Sequence, residues 1–407
     1  MKIGLLTYHA ACNFGANLQA YSTVSYFRNR GYDVVFINYL PASLEKYYKG
    51  NTPEDQSTIH EDFRKEHFPM TRRCNDEKEV ADVIREESID AVIIGSDAVM
   101  QHHPLLSRII FPCKRIISVY HPSRDKMCPN PFWGSFLDYL SKPVPVCFMS
   151  ASSQNSAYKQ LSRKEKAMLK RHLLRYSFIS TRDDWSSKMV ESITDGAIVP
   201  TVTPDPVFAF NYNVTSQPTE MEIREKYNLK RPYYLVSYHN SNVVSIEWLK
   251  RLEELANTKG IECVAFPFPQ GVEFNHPFKK EINLPLSPTD WYALIKYSSG
   301  YIGHNMHPIV IALHNAVPCF SFDQYGIVKY RFFTNEKSSK IYHIMNEFGV
   351  GENRVSDIGV RKETPTPEFV ISKLETFDIE HVQQHAATYL QKYVDMMQNI
   401  EANILRQ

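Results

Sequence analysis

The sequence predicts an α/β protein made of two consecutive doubly wound domains, with further helices at the end. Short apolar runs alternate with amphipathic spacers from Ile3 onward, and the alternation restarts after a polar stretch near residues 210–228. Residues 367–405 then carry helical spacing alone, with Val370, Leu374, Val382, Tyr389, Tyr393, Met396 and Ile400 as the apolar positions. The 407 residues leave room for about two or three domains of ordinary size. Composition agrees: 23 Phe, 24 Tyr and 4 Trp against 15 Gly exclude disorder, collagen-like repeats and linker-rich architecture.

The opening elements read strand, turn, helix, strand: 3–8, a loop over 9–15, an amphipathic stretch 17–29 closed by Gly31, then 34–39. After a polar excursion over 41–87, Ala91-Val92-Ile93-Ile94 predicts a buried strand ending at Gly95-Ser96-Asp97. Strands at 144–150, 178–181 and 197–200 follow, with a helical spacer at 163–175. The second series has strands at 233–238, 263–266, 281–284, 301–302 and 318–322, and helices at 244–258, 288–297 and 308–315. This divides the chain into domains at 1–212 and 213–366, with helices at 367–407 packing back across them. Ligands are expected where the carboxyl ends of the two sheets face each other.

With 46 basic and 45 acidic side chains the net charge is +1, which gives no footprint for nucleic acid or an anionic membrane. Recognition must therefore be local. Met1 leads straight into a strand-like run with no signal-peptide pattern, and no apolar run approaches the roughly 18 residues of a membrane span. The seven cysteines are odd in number and form no C-x-x-C pair, so they are expected to be reduced thiols in a cytoplasmic protein.

Several segments could carry chemistry. The loop after the first strand, His9 through Ala20, lacks a dinucleotide-type glycine pattern but offers Asn13, Phe14, Gly15, Asn17 and Gln19 beside a helix start. These amides suit an anion or a polyhydroxylated ligand, or simply cap the helix. Ser96 and Asp97 end a strand at the same sheet edge, as ligand groups or as caps. Arg182 could fork onto a carboxylate or phosphate, or pair with Asp183 or Asp184 at the surface. Thr203-Pro204-Asp205-Pro206 reads as a proline-stiffened domain edge.

The most informative run is Gly303-His304-Asn305-Met306-His307-Pro308, where a strand ends and an apolar helix begins with Pro308 near its first turn. It places His304 and His307 at a helix N-terminus, an acid/base position that also favours anions. Metal binding is the rival reading, without a carboxylate or cysteine nearby to complete a set. His381 and His385, four apart in the terminal helix, read as surface residues. Lys329, past the next strand, could reach an anion at His307 or remain a solvated lysine. Tyr8, Phe14, Tyr238, Phe322 and Tyr325 fall at strand ends where a sugar face could stack.

Taken in order, these segments resemble the polysaccharide pyruvyl transferase family. The carrying residues are Asn13 through Tyr21, Gly95-Ser96-Asp97, Arg182-Asp183, Asp205-Pro206-Val207, the His307 helix closed by Val317-Pro318, and Lys329. The resemblance implies a glycosyltransferase-B-like pair of Rossmann-like domains facing across a cleft. It implies phosphoenolpyruvate as donor and a sugar or a lipid- or nucleotide-linked glycan as acceptor, in exopolysaccharide biosynthesis for a bacterial cell envelope. No metal and no cofactor are required. His307 would be the general acid, with Arg182 and Lys329 clamping anions and Asn13, Phe14, Gly15, Asn17, Gln19, Ser96, Asp97, Tyr238, His304, Asn305 and Ser321 around the substrates.

The chain departs from the family pattern in two places. Asn305 stands where an arginine is usual two residues before the histidine, and Ala98 and Met100 stand where Gln and Trp are usual. One cation and one platform are thus missing, and His304 would restore charge only if protonated. Two other classes compete with pyruvyl transfer. A nucleotide-sugar glycosyltransferase would need an acidic group for a ribose, and near His307 only Asp323 offers one. A non-catalytic sugar- or anion-binding relative is motivated by Asn305.

Overall fold

The computed structural model describes residues 1–113, 116–154, 156–329, 333–358 and 364–405. Its strands in chain order are β1 (Lys2–Leu6), β2 (Asp33–Phe36), β3 (Ala91–Asp97), β4 (Ile109–Cys113), β5 (Ile116–Val119), β6 (Val146–Ala151), β7 (Phe178–Thr181) and β8 (Thr201–Val202), followed by β9 (Tyr233–Ser237), β10 (Glu262–Ala265), β11 (Lys280–Glu281), β12 (Gly300–Gly303), β13 (Cys319–Asp323), β14 (Ile327–Lys329), β15 (Phe333–Asn335) and β16 (Arg354–Ser356).

Two six-stranded sheets form, in the orders β2-β1-β3-β6-β7-β8 and β11-β10-β9-β12-β13-β16. All their pairings are parallel. Their central strands, such as Ile93-Ile94 and Leu235-Val236, are fully buried, as strands covered by helices on both faces must be. In each sheet the chain first winds to one side and then crosses back. The reversal falls between β1 and β3 in the first sheet and between β9 and β12 in the second, where loops diverge and leave a crevice. Two short antiparallel hairpins, β4-β5 and β14-β15, lie outside the sheets.

The expected elements are present with shifted ends. The first helix is Phe14–Asn29, starting earlier than 17 because the Asn13 side chain caps it by accepting from the Ala16 N–H at 3.1 Å. The strand expected at 197–200 is instead Thr201–Val202. The helix expected from Pro308 is Met306–His314, preceded by Asn305 at the N-cap position, so Pro308 is its third residue. Proline is tolerated there because the first four N–H groups of a helix have no intrahelical partner. The helix Lys340–Glu347 and strand β16 carried no sequence signal that separated them from loop.

The terminal helix Ile379–Leu405 ties the halves together. Its first part, Val382, Ala386 and Tyr389, packs in the same core as Ile309 and Leu313 of the second sheet's domain. Its second part, Tyr393, Met396, Met397, Ile400 and Ile404, packs with Ile3, Leu5 and Phe27 of the first. Glu401 accepts two hydrogen bonds from the Arg30 guanidinium, at 3.1 and 3.2 Å. Because Ile400 is fully buried there, Ile400→Ala should cost about 2–5 kcal/mol, read as a lowered urea midpoint; an unchanged midpoint would contradict this anchoring.

Candidate active site

The two crevices face each other and enclose a cavity of about 120 Å³. Asn13, Phe14, Gly15 and Asp97 line it from the first domain; Phe268, Trp291, Asn305, His307, Tyr325 and Lys340 line it from the second. Phe14 and Trp291 stack across the boundary, ring centroids 5.1 Å apart and planes 16° from parallel. That stack makes one side of the cavity a rigid aromatic wall.

His307 sits in the first turn of its helix with its imidazole laid on the backbone of Gly15. A methyl group added at Gly15 would lie 2.1 Å from the ring, so only glycine permits this approach. The ring Nε2 is buried without a hydrogen-bond partner among the described residues. Burial is the main reason the imidazole pKa falls to about 4, with the Lys340 and Arg182 cations opposing protonation and Asp205 and Asp97 favouring it.

Behind the cavity lies a buried ion network. Arg182 Nη1 donates to Asp205 at 2.8 Å, and its Nη2 lies 3.8 Å from the Asp97 carboxylate. The Nε and Nη2 atoms have no hydrogen-bond partner among the described residues, which leaves two buried donor groups unsatisfied there. Asp205 also accepts from the Gln19 amide at 2.5 Å and from the Val207 N–H at 3.0 Å. The Asp97 backbone has φ 81°, and its carboxylate accepts from the Ala98 N–H at 2.7 Å. Burial raises the Asp97 pKa, but Arg182, Lys340 and His307 outweigh it and hold the group ionised.

Lys340 supplies a second cation. It opens the helix Lys340–Glu347, its ammonium lies 4.9 Å from the Tyr325 ring centre, and burial followed by Arg182 lowers its pKa to about 8. The sequence reading assigned this role to Lys329, which belongs to β14 and whose side chain lies outside the described residues. Asp205 reads from the sequence as a domain edge and as part of the family resemblance, without a site role; the structure makes it the partner of Arg182.

The structure separates the remaining expected residues into walls and supports. Asn13, Phe14, Gly15, Asp97, Asn305 and His307 share the cavity. Asn13 is at once a wall and a helix cap. Asn305 makes no side-chain capping bond. Arg182 is buried and paired with Asp205 and Asp97, not with Asp183 or Asp184 at the surface; Asp183 instead caps the next helix through the Ser186 N–H. Asn17 and Gln19 are buried supports: Asn17 donates to the His9 carbonyl and meets His60 at 2.6 Å. Ser96 donates to the Ser150 carbonyl within the first sheet. It caps no helix.

Tyr238 is fully buried among Phe274 and Phe322, with no face open to a sugar. His304 is 1 % exposed and packs its ring on His239 and Phe268, and burial lowers its pKa to about 3, so it adds no charge. Ser321 is buried in β13. Asp323, considered for a ribose, is fully buried and accepts from Ser339 and Arg354, each at 2.6 Å. Among the described residues no group of three His, Cys, Asp or Glu side chains is placed to hold a metal. Among the described residues no helix is long and apolar enough to cross a membrane.

A crevice at the carboxyl ends of two facing parallel sheets defines a two-domain α/β protein of the glycosyltransferase-B-like class. Solved structures with this fold include the UDP-GlcNAc 2-epimerase from Neisseria meningitidis bound to UDP-GlcNAc, at TM-score 0.54 and 10% identity, covering 100% of both chains. Another is the UDP-GlcNAc 2-epimerase from Methanocaldococcus jannaschii, at TM-score 0.50 and 12% identity over 93% of this chain and 92% of that one. A comparison with curated proteins gives no match. The family model for polysaccharide pyruvyl transferase matches residues 13–324, and the chain belongs to that family.

Buried imidazoles in and around the site should make stability depend on pH. His307 at about 4, His304, His60 and His314 at about 3 and His102 at about 4 are all held neutral below the ordinary histidine pKa near 6.5. The unfolded chain therefore binds more protons than the folded one between pH 6.5 and about 4. Unfolding free energy from urea titrations should be level near pH 7 and fall steadily from pH 6.5 toward 4; a flat profile between 6.5 and 4 would refute the buried neutral rings. Helix propensity alone makes Gly15→Ala stabilising by up to about 1 kcal/mol. The contact with the ring predicts the reverse: a lower melting temperature and catalytic turnover reduced on the order of 100-fold.

Proposed function

We propose that the protein transfers a pyruvyl group from phosphoenolpyruvate to a sugar of a cell-surface polysaccharide or its precursor, releasing phosphate. The observation that carries this reading is the grouping of one imidazole without a partner among the described residues, one carboxylate and one cation, Lys340, in a small cavity between the two crevices, with the Arg182 guanidinium behind it beside that carboxylate. Phosphoenolpyruvate is a small polyanion, and Arg182 and Lys340 match its carboxylate and phosphate. The family match and the fold support the transferase class.

His307 is the acid. Neutral in the protein alone, it is driven to imidazolium when the donor's negative charge enters beside it, so the donor loads the proton that catalysis then uses. His307 delivers that proton to the methylene carbon as a sugar hydroxyl bonds to the adjacent carbon, and Asp97 takes the hydroxyl's proton. A second hydroxyl then bonds to the same carbon, the carbon–oxygen bond to phosphate breaks, and the hydroxyl's proton leaves with the phosphate. Lys340 provides the cation that Asn305 does not. The described cysteines other than Cys113 are free and buried, which suits a reducing, cytoplasmic setting.

The nucleotide-sugar reading loses its acidic group, because Asp323 is spent on Arg354 and Ser339. Incubation with phosphoenolpyruvate and a panel of sugars should release phosphate without consuming sugar nucleotide. His307→Gln should lower that release 100- to 10,000-fold while titration calorimetry finds donor binding within a few-fold of normal. Sugar-nucleotide consumption, or undiminished turnover in His307→Gln, would overturn the reading; donor binding without turnover on any sugar would favour a non-catalytic relative.

A further inference from the structure

Asp323 ends β13, fully buried at the carboxyl edge of the second sheet, and is not one of the residues that line the small cavity. Its two oxygens nevertheless reach the chain on either side of two residues that do. Oδ1 accepts from the Tyr325 N–H at 2.8 Å, and Oδ2 accepts from the Ser339 hydroxyl at 2.6 Å. Ser339 passes that hold on: its oxygen accepts from the Ile341 and Tyr342 N–H groups, at 3.1 and 3.3 Å, and so caps the helix that Lys340 opens. Tyr325 and Lys340 both line the cavity, with the ammonium 4.9 Å from the ring centre. The contacts close a circuit from Asp323 to Tyr325, from Tyr325 to Lys340, and from Lys340 through Ser339 back to Asp323.

Local structure alone does not favour a lysine in this place. The helix has eight residues, too few to be stable in isolation, and its first turn is the positive end of the peptide dipoles, which disfavours a cation. The lysine therefore keeps its position through the contacts that fasten the helix start to the sheet. Those contacts are strong ones: a buried carboxylate accepting from a hydroxyl and a guanidinium makes short, charge-assisted bonds. Arg354, on the neighbouring strand β16, donates its Nε to Asp323 Oδ2 at 2.6 Å, reaches Glu336 at 3.4 Å and lies 5.1 Å from the Tyr342 ring centre. It thereby fastens the carboxylate to residues before and after Lys340.

We propose that Asp323 and Ser339 are positioning residues for the small cavity: the carboxylate and the hydroxyl together hold the Lys340 ammonium over the Tyr325 ring and so fix where that charge stands. That the charge serves phosphoenolpyruvate rests on the pyruvyl-transfer reading, whereas the hold on the lysine does not. The charged and titratable groups that face the ammonium are Arg182, Asp97, Asp183 and Asp205 from the first domain and His307 and Tyr325 from the second. Burial and Arg182 lower its pKa to about 8, so a lysine released from this place titrates higher. Ser339→Ala and Ser339→Thr change no charge, and a shift in the Lys340 titration between them reports position.

Acetic anhydride labelling of the full chain across a pH series, with the Lys340 peptide quantified by mass spectrometry, reads that titration. Ser339→Ala should raise the midpoint by about 1 unit or more toward the ordinary lysine value of about 10.4. It should also weaken phosphoenolpyruvate binding in titration calorimetry on the order of 10-fold, because the cation is no longer held in register. Ser339→Thr, which keeps the hydroxyl, should restore both readouts, and Asp323→Asn should shift the midpoint in the same direction as alanine. Ile400→Ala, remote from the cavity, should lower stability and leave the midpoint in place, which separates positioning from a general loss of stability. The proposal falls if Ser339→Ala leaves the midpoint unchanged, if threonine moves it as far as alanine does, or if Ile400→Ala moves it equally. Failure of the unaltered protein to bind phosphoenolpyruvate would overturn pyruvyl transfer instead, and the labelling, which uses no donor, still decides the hold on Lys340.

Discussion

The ion pair between Arg182 and Asp205 is the constraint on which the site depends. Both side chains are essentially removed from solvent, at 2 % and 1 % exposure, so neither charge is tolerable without the other. Removing one partner of such a pair typically costs about 3–5 kcal/mol, because the survivor stays buried and unpaired. The pair binds three separated pieces of chain. Arg182 follows β7, Asp205 follows β8, and Gln19 reaches Asp205 from the first helix. With those pieces fixed, the helix start that carries Gly15 is fixed too, and the backbone on which His307 rests acquires a defined position.

The same pair sets the electrostatics. Arg182 keeps Asp97 ionised, opposes protonation of His307, and helps lower Lys340. A single buried guanidinium thus biases an acid, a base and a cation in one small space. Its Nε and Nη2 have no hydrogen-bond partner among the described residues, so those residues leave part of its donor capacity open. The topology explains why these parts meet. Each sheet reverses its winding once, and the site's loops leave those reversals from opposite sides, so one cavity collects residues from 13 to 340 in the sequence.

Much of this was legible before the structure. Alternating buried runs and helical spacers gave the two doubly wound domains, because a strand covered on both faces must be apolar throughout. Gly303 through Pro308 marked a strand end joined to a helix start, and that is where His307 stands. What sequence spacing could not separate was wall from support. Asn13 and Asn17 are four residues apart on one helix start, yet Asn13 lines the cavity while Asn17 is locked beneath it by His9 and His60. Tyr238 follows its strand as a cleft residue should, but the packing of Phe274 and Phe322 closes over it. Lys340 was illegible for another reason. It lies in a polar run, Asn335 through Lys340, whose helix is recognisable only once Ser339 is seen capping it and Ile341 and Ile344 are seen buried.

The exchange of cations has a chemical consequence. The resemblance implies an arginine at position 305, where a guanidinium would be charged at every accessible pH and fixed in a planar fork. The chain has Asn305 there, neutral and free of capping duty, and draws its second cation from Lys340. An ammonium is smaller and reorients about its stem, so an anion bound there would meet a point charge and not a bidentate plane. With its pKa lowered to about 8, that charge is also conditional: the site holds two cations below that pH and one above it. Asp97 favours the charged form, and on the pyruvyl-transfer reading proposed above an incoming anion would favour it too, as it would favour the proton on His307. On that reading an anionic substrate would complete a set of groups that burial otherwise leaves partly neutral.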